Sequence, residues 1–249
     1  MKFSIITCTW NSEATLAETI ASVNAQQEAE VEHIFVDGGS KDGTLAMIER
    51  MAPRAVVLRD VGGGISRAMN EGIKAASGNV IAHLHSDDYY CDGQVLRDVA
   101  SALSSSGRPW LVGGIDRLVD GQRMPGKLAD RTLTAFNYFS GAATIPHPAV
   151  FIRHELFQRC GMFDEGLRYA MDIDLWLRLL PQAEPVELRR SLTVFREHAG
   201  SVSTANVLAA RAEELKVRMA RAQRHPLASL IFRLRYERRI RRLRRELGA

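Results

Sequence analysis

The sequence predicts an α/β fold, and three observations carry the prediction. Short, β-branched apolar runs alternate with helically periodic segments through the first 84 residues. Polar or acidic residues close several of those runs, and in a parallel sheet ligands gather at the carboxyl ends of the strands. At 249 residues, 46% hydrophobic and 25% charged, the chain is long enough for one large core and one main domain.

The first apolar run, FSIIT at 3–7, and the second, VEHIFVD at 31–37, flank SEATLAETIASVNAQQ, which places Leu16, Ile20 and Val23 at helical spacing. This is a β-α-β unit. The pattern continues with a helix at 42–51, a strand AVVLR at 55–59, a helix at 65–76 and a strand NVIAHL at 79–84. Ser12, Asp42 and Gly64 stand where helix N-caps or tight turns are wanted, and the glycines of DGGSKDG mark a loop. Strands alternating with helices imply a parallel sheet. Further on, a helix is expected at 94–103, a strand and turn at WLVGGIDRLVDG, and a loop-strand-helix-loop-helix series from 141 to 180. In its last helix Leu175, Trp176 and Leu179 pack inward, leaving Asp172 near the start, where the helix dipole favours a carboxylate.

Thr9, Trp10 and Asn11 follow the first strand, Asp37 ends the second, and Asp87 and Asp88 end the fourth, so one crevice can hold them all. Adjacent carboxylates repel, which calls for a cation beside Asp87 and Asp88. Asp37 has an alternative reading as a cap or loop anchor, which is common for Asp after a strand. The formal charge of +4 conceals an asymmetry. Residues 206–249 hold 13 Lys and Arg against 4 Asp and Glu, a net of +9, while residues 1–205 hold 20 against 25, a net of −5. The basic pI therefore belongs to the tail, and the body is not expected to bind nucleic acid. Cys8, Cys91 and Cys160 form no CxxC pair and fit reduced thiols in the cytoplasm, with no zinc site. The N-terminal apolar run is too short for a signal peptide and no stretch is long enough to span a membrane.

The pieces SIITCTWN with Glu13, FVDGGSKDGT, GGGISRAMNEGIKAASGNVIAHLHSDD, HPAVFIRHELFQRCGMFDE, AMDIDLWLRL and FREHAGSVS occur in an order that resembles the family 2 glycosyltransferases of GT-A fold, especially small bacterial enzymes of polysaccharide assembly. The resemblance covers residues 1–204. It implies a mixed sheet flanked by helices, a nucleotide-diphosphate sugar as donor, usually a UDP-sugar, and an inverting transfer. Thr9, Trp10 and Glu13 would contact base and ribose, Asp37 would accept the uracil N3 proton, and the turn from Gly64 to Arg67 would close over the nucleoside. SDD matches the family's acidic motif, in which Mg²⁺ or Mn²⁺ bridges an aspartate and the donor phosphates; Asp87 and Asp88 are both candidates, and one or two carboxylates plus phosphates suit such ions. Asp172 matches the catalytic carboxylate that takes the acceptor's proton. Arg196, His198 and Ser201 would reach the diphosphate, and His147 would lie on the acceptor side. Two positions depart from the pattern: His85 stands where the family often has Asp, and Met171 where it commonly has Glu. Alternatives remain for single residues. Asp172 is equally placed to cap its helix, Asp174 to anchor it, Arg196 to pair with a surface carboxylate, and His147 to shape a loop.

The tail, residues 205–249, is expected to be a basic helical extension. One stripe runs through Leu208, Ala212, Leu215, Met219 and Ala222 and ends at Pro226; a second runs through Phe232, Tyr236, Ile240, Leu243 and Leu247, with eight arginines from Arg233 to Arg245 around it. This polarity suits an anionic membrane surface, which would hold the protein peripherally on the cytoplasmic face near lipid-linked saccharide acceptors. Packing on the body, on a second subunit or on RNA are the other readings. The rival functions are a sugar-phosphate nucleotidyltransferase, disfavoured by the missing glycine- and lysine-rich phosphate loop, and a non-catalytic nucleotide- or glycan-binding membrane adaptor.

Overall fold

The sequence KFSIITCT forms strand β1 (Lys2–Thr9), with residues 3–7 buried on both faces. Such burial suits a strand inside a parallel sheet. β1 lies between β2 (Glu30–Asp37) and β4 (Val80–His83), parallel to both, and β3 (Val56–Leu58) adds to β2. The computed structural model describes residues 1–126, 132–197 and 206–247. Helix α1 (Leu16–Asn24) buries Leu16, Ile20 and Val23, the spacing the sequence predicts. Helix α2 (Thr44–Met51) begins at Thr44 with Gly43 as N-cap, and Asp42 supports the start by accepting from the Thr44 amide (3.1 Å) and hydroxyl (2.5 Å). Helix α3 (Ile65–Ala75) buries Met69 and Ile73 in the core.

Beyond β4 the expected parallel sheet becomes mixed. The order is β3-β2-β1-β4-β8-β6-β9-β5, with β5 (Tyr89–Tyr90), β6 (Trp110–Val119), β8 (Val150–Arg153) and β9 (Val186–Arg196); β7 (Gln122–Met124) pairs with β6 as a hairpin. β8 runs antiparallel to both β4 and β6. Only parallel neighbours need a same-direction crossover, and β8 is reached through α4 (Val95–Ser106), the β6–β7 hairpin and the short α5 (Ala135–Phe139) instead. β9 was not expected from the sequence. It pairs parallel with β6, but Gly113 faces Leu188 and Gly114 faces Ser191, so Arg189 and Arg190 form a bulge that breaks its alternation. Gly113 permits the close approach: a Cβ there would lie 2.3 Å from Leu192 Cδ1. After β8 come α6 (His154–Cys160) and α7 (Met171–Leu179); Trp176 of α7 stacks on Trp110 of β6 at 6.0 Å.

The tail forms α8 (Val207–Ala220), a 3-10 turn (Ala222–Arg224) and α9 (Pro226–Leu247). Pro226 opens α9 rather than closing α8, because proline's missing N–H costs nothing in a first turn. The expected stripe of α8 is corrected. In α8 Ala212 is exposed and Leu208, Leu215, Met219 and the following Ala222 are half-buried, while Glu214, Val217 and Arg218 are buried. The Arg218 guanidinium sits 4.7 Å from the Tyr138 ring centre and 4.6 Å from that of Phe232, donates to the Tyr138 carbonyl at 2.6 Å and pairs with Glu214 at 3.0 Å. A buried cation so fully partnered can displace an apolar stripe from an interface. In α9 Phe232 is buried and Tyr236, Ile240 and Leu243 are half-buried, while Leu227, Leu230 and Leu234 are left 62%, 56% and 52% exposed.

Candidate active site

The candidate site has three corners, two after the carboxyl ends of β2 and β4 and one at the start of α7. At the first, Asp37 closes β2 and is fully buried. Its Oδ1 accepts from the amides of Gly39 (2.9 Å) and Ser40 (2.8 Å), and its Oδ2 from the hydroxyls of Thr9 (2.9 Å) and Ser40 (2.5 Å). Burial alone would raise this carboxyl; the donors outweigh it and hold it below the usual carboxylate range. A carboxylate offers about four acceptor sites, so a further N–H is accepted only in place of the Thr9 or Ser40 hydroxyl. The loop-anchoring alternative is thus what the hydrogen bonds describe. Trp10, 70% exposed, lies beside this turn, and Glu13 accepts from the Gly43 amide at 2.9 Å, capping α2. The Val61 amide donates to the Asp37 carbonyl at 2.9 Å and brings the glycine loop alongside. There Gly63 and Gly64 adopt φ of 99° and 94°, Gly64 is the N-cap of α3, and Arg67 is exposed in its first turn with Cδ against Gly63.

The second corner is the acidic turn after β4. Hydrogen bonds from α1 and its approach hold it: the hydroxyls of Ser12 and Ser86 meet at 2.9 Å, Thr15 donates to the Ser86 carbonyl and Thr19 to that of Asp88, each at 2.8 Å. Asp88 is fully buried. Its Oδ1 accepts the Arg196 amide at 3.1 Å, and its Oδ2 has no hydrogen-bond partner among the described residues. Burial first, then the Asp87 charge, push its carboxyl well above the ordinary range. Asp87 is partly exposed, and its carbonyl accepts from Arg196 Nε at 3.2 Å. Arg196 also pairs with the exposed carboxylate of Glu18, the alternative foreseen for it. His198 and Ser201 lie outside the described residues. Among the described residues no three His, Cys, Asp or Glu side chains converge as a metal cage. Hard ions that share phosphate oxygens need no such cage, and an accessible carboxylate beside an unpartnered buried one fits a divalent cation. Of the two, Asp87 is partly exposed and Asp88 is buried.

The third corner is the start of α7. Asp172, half-buried, accepts the Ile173 amide on Oδ1 at 2.7 Å, and its carboxyl is pushed up to about 6 from 3.8. Burial is the main cause and the Glu214 carboxylate adds to it, against the Ile173 amide and Arg218. A carboxyl in that range is suited to exchange a proton near neutral pH. Asp174 is the helix anchor: it accepts from Arg178 at 2.9 Å and from Arg221 of the tail at 2.6 Å. His147 joins the corners. Its ring stacks on His85 of the acidic turn at 5.3 Å and lies 5.8 Å from Trp176, one helical turn beyond Asp172. His83 and Phe163 complete the cluster, at 5.6 and 5.7 Å from His147. Burial holds His83, His85 and His147 below the usual imidazole range. Asn70 of α3 bonds both ways with Phe163, tying α3 to the loop before α7.

A family model described as "Glycosyl transferase family 2" matches residues 4–159. The chain belongs to glycosyl transferase family 2. This glycosyltransferase is 34% identical over 197 residues to an uncharacterized glycosyltransferase of Mycobacterium tuberculosis, covering 77% of this chain and 74% of that one. It is 31% identical over 218 residues to the uncharacterized glycosyltransferase EpsJ of Bacillus subtilis, covering 80% and 62%. Its fold matches S. aureus TarS 1-349 in complex with UDP-GlcNAc with a TM-score of 0.75 at 22% identity, over 93% of this chain and 70% of that one. The mannosyltransferase PcManGT from Pyrobaculum calidifontis, in complex with GDP-Man and Mn²⁺, matches with a TM-score of 0.67 at 16% identity, over 94% and 68%. The mixed sheet flanked by helices is the GT-A architecture.

Sequence reasoning missed four of the glycosyltransferase's residues at this site. Tyr138, Glu214 and Arg218 surround Asp172, and Glu213 binds the turn ahead of it. Glu214 and Arg218 stand at i and i+4, a spacing that signals an ion pair, but nothing local indicates that the pair is buried. Among the described residues no helix is long and apolar enough to cross a membrane.

Proposed function

We propose that this glycosyltransferase moves a sugar, with inversion, from a UDP-sugar to a hydroxyl of a glycan or lipid-linked saccharide. One observation carries the reading: a carboxyl raised to about 6 at the head of α7 is joined through Trp176, His147 and His85 to the acidic turn. Asp172, ionised, accepts the acceptor's hydroxyl proton as that oxygen bonds to the anomeric carbon. The bond from that carbon to the phosphate oxygen breaks, and its electron pair leaves with the nucleoside diphosphate. Asp87, together with the donor's phosphates, would hold Mn²⁺ or Mg²⁺, and the bound ion would supply charge that offsets the leaving group. Asp88 fixes the turn and Arg196 from beneath. The exposed Trp10 indole offers a stacking face for the base, with Thr9, Glu13 and the turn from Gly64 to Arg67 shaping its surroundings. Asp37 reads the base by exchanging a hydroxyl donor for the uracil N–H. Arg196 and His198 serve the diphosphate, and His147 the acceptor side. The UDP and UDP-GlcNAc complexes of TarS and the GDP-Man and Mn²⁺ complex of the mannosyltransferase support a nucleotide-sugar donor. A panel of UDP- and GDP-sugars with Mn²⁺ or Mg²⁺, scored by nucleotide release with and without a lipid-linked glycan fraction, tests this. Release of UDP from a UDP-sugar, abolished by chelation, is expected; release indifferent to chelator removes the metal.

Peripheral contact with an anionic bilayer belongs to the same proposal, on a different face from the one the sequence suggests. Leu227, Leu230 and Leu234 and, further along the same outward side, Arg238, Arg241 and Arg245 are all exposed. Each basic residue near an anionic surface contributes roughly 1 kcal/mol, and the leucines give a bilayer a partner that RNA lacks. Flotation with phosphatidylglycerol–phosphatidylcholine vesicles is expected to carry the protein up at low salt, and Leu230→Ser with Leu234→Ser to weaken it. Equal flotation of that variant, or binding to RNA alone, rejects the bilayer.

A further inference from the structure

Helix α7 begins without a cap of its own. Its N-cap residue is Ala170, whose side chain offers no acceptor, and the three amides leading into the helix need partners. Glu213 of α8 supplies them from the tail. Its carboxylate accepts from the amides of Arg168 (3.1 Å), Tyr169 (2.5 Å) and Ala170 (2.7 Å), and the Ala170 carbonyl in turn accepts the Asp174 amide at 2.9 Å. A negative charge at this end of a helix is also favoured by its dipole. α8 is held in place for this contact by Arg221 on Asp174 and Arg218 on the Tyr138 carbonyl.

We propose that Glu213 is a positioning residue for Asp172: the tail completes the N-terminus of the helix that carries the base. This rests on the reading of Asp172 given above. Without Glu213 three consecutive amides lose their acceptor, the turn relaxes, and the carboxylate two residues beyond Ala170 leaves its reactive position. Small displacements of a reacting group are costly in rate and leave donor binding, on the other side of the crevice, untouched. In the full-length enzyme, Glu213→Ala is expected to lower kcat about tenfold or more with little change in the donor KM, and Glu213→Gln, which keeps an acceptor oxygen, to recover most of it. Hydrogen exchange at residues 168–170 is expected to accelerate in Glu213→Ala alone.

Val217→Ala separates this from general loosening of the tail, since Val217 is buried on the same helix and bonds to none of those amides. If Val217→Ala lowers kcat as much as Glu213→Ala at matched stability, or if Glu213→Ala keeps wild-type kcat, the positioning role is overturned. Loss of Asp172 tells the two readings apart. An inactive Asp172→Asn beside a fully active Glu213→Ala rejects the present proposal only, whereas an active Asp172→Asn rejects the base itself.

Discussion

Replacing Asp172 by asparagine is expected to lower kcat by roughly 10²–10⁴, the range a positioned general base contributes, with donor binding preserved. Asparagine keeps an oxygen for the Ile173 amide and removes only the proton acceptor. The wild-type rate should rise with pH and level off above about 6, where the carboxyl is ionised. Stability should move the other way. The folded carboxyl is raised from 3.8 to about 6, so holding it ionised opposes folding. That penalty is absent below the unfolded value, grows between the two values and is complete above the folded one. After discounting for partial exposure, Asp172→Asn is expected to stabilise the protein by about 1–2 kcal/mol at neutral pH, and not in acid below the unfolded value. Thermal unfolding at the two pH values checks this. A variant that is inactive but no more stable at neutral pH would mean that burial is not what raises the group.

Asp87→Ala is expected to reduce metal-stimulated nucleotide release by about 10²–10³, in line with removal of one strong electrostatic contact to the leaving group. The turn should survive, because Ser12, Thr15 and Thr19 hold its Ser86 and Asp88 ends. Asp88→Asn serves as the contrast. It is buried against the Arg196 amide and should retain release with an unchanged Mn²⁺ requirement. A Mn²⁺ titration of both variants decides the matter; wild-type release by Asp87→Ala, or loss confined to Asp88→Asn, would reverse the assignment of the ligand.

The first half of the chain was legible because its strands are β-branched runs and its helices carry apolar residues at helical spacing, as in β1, α1 and β2. β9 was not, since a bulge at Arg189 and Arg190 interrupts its alternation, and α5 is too short for periodicity to register. At the site, the acidic turn and Asp172 were visible as residue types in order. The way they meet was not. His147 reaches His85 and Trp176 only through the folded sheet, and exposure, which separates Asp87 from Asp88, has no local signature. In the tail the apolar stripes were real in the sequence, but the inward face of α8 is governed by Arg218, whose burial depends on Tyr138 and Phe232 as distant partners.

The Arg221–Asp174 contact bears on how this enzyme can be trimmed. Asp174 is 6% exposed, and in a protein ending at residue 204 it would keep Arg178 but lose the second guanidinium on its other oxygen. A shortened version would therefore be a damaged catalyst rather than a minimal one, and its failure in an assay would say nothing about lipids. Exposed side chains of α9, changed one or two at a time in the intact polypeptide, are the sound way to separate anchoring from chemistry.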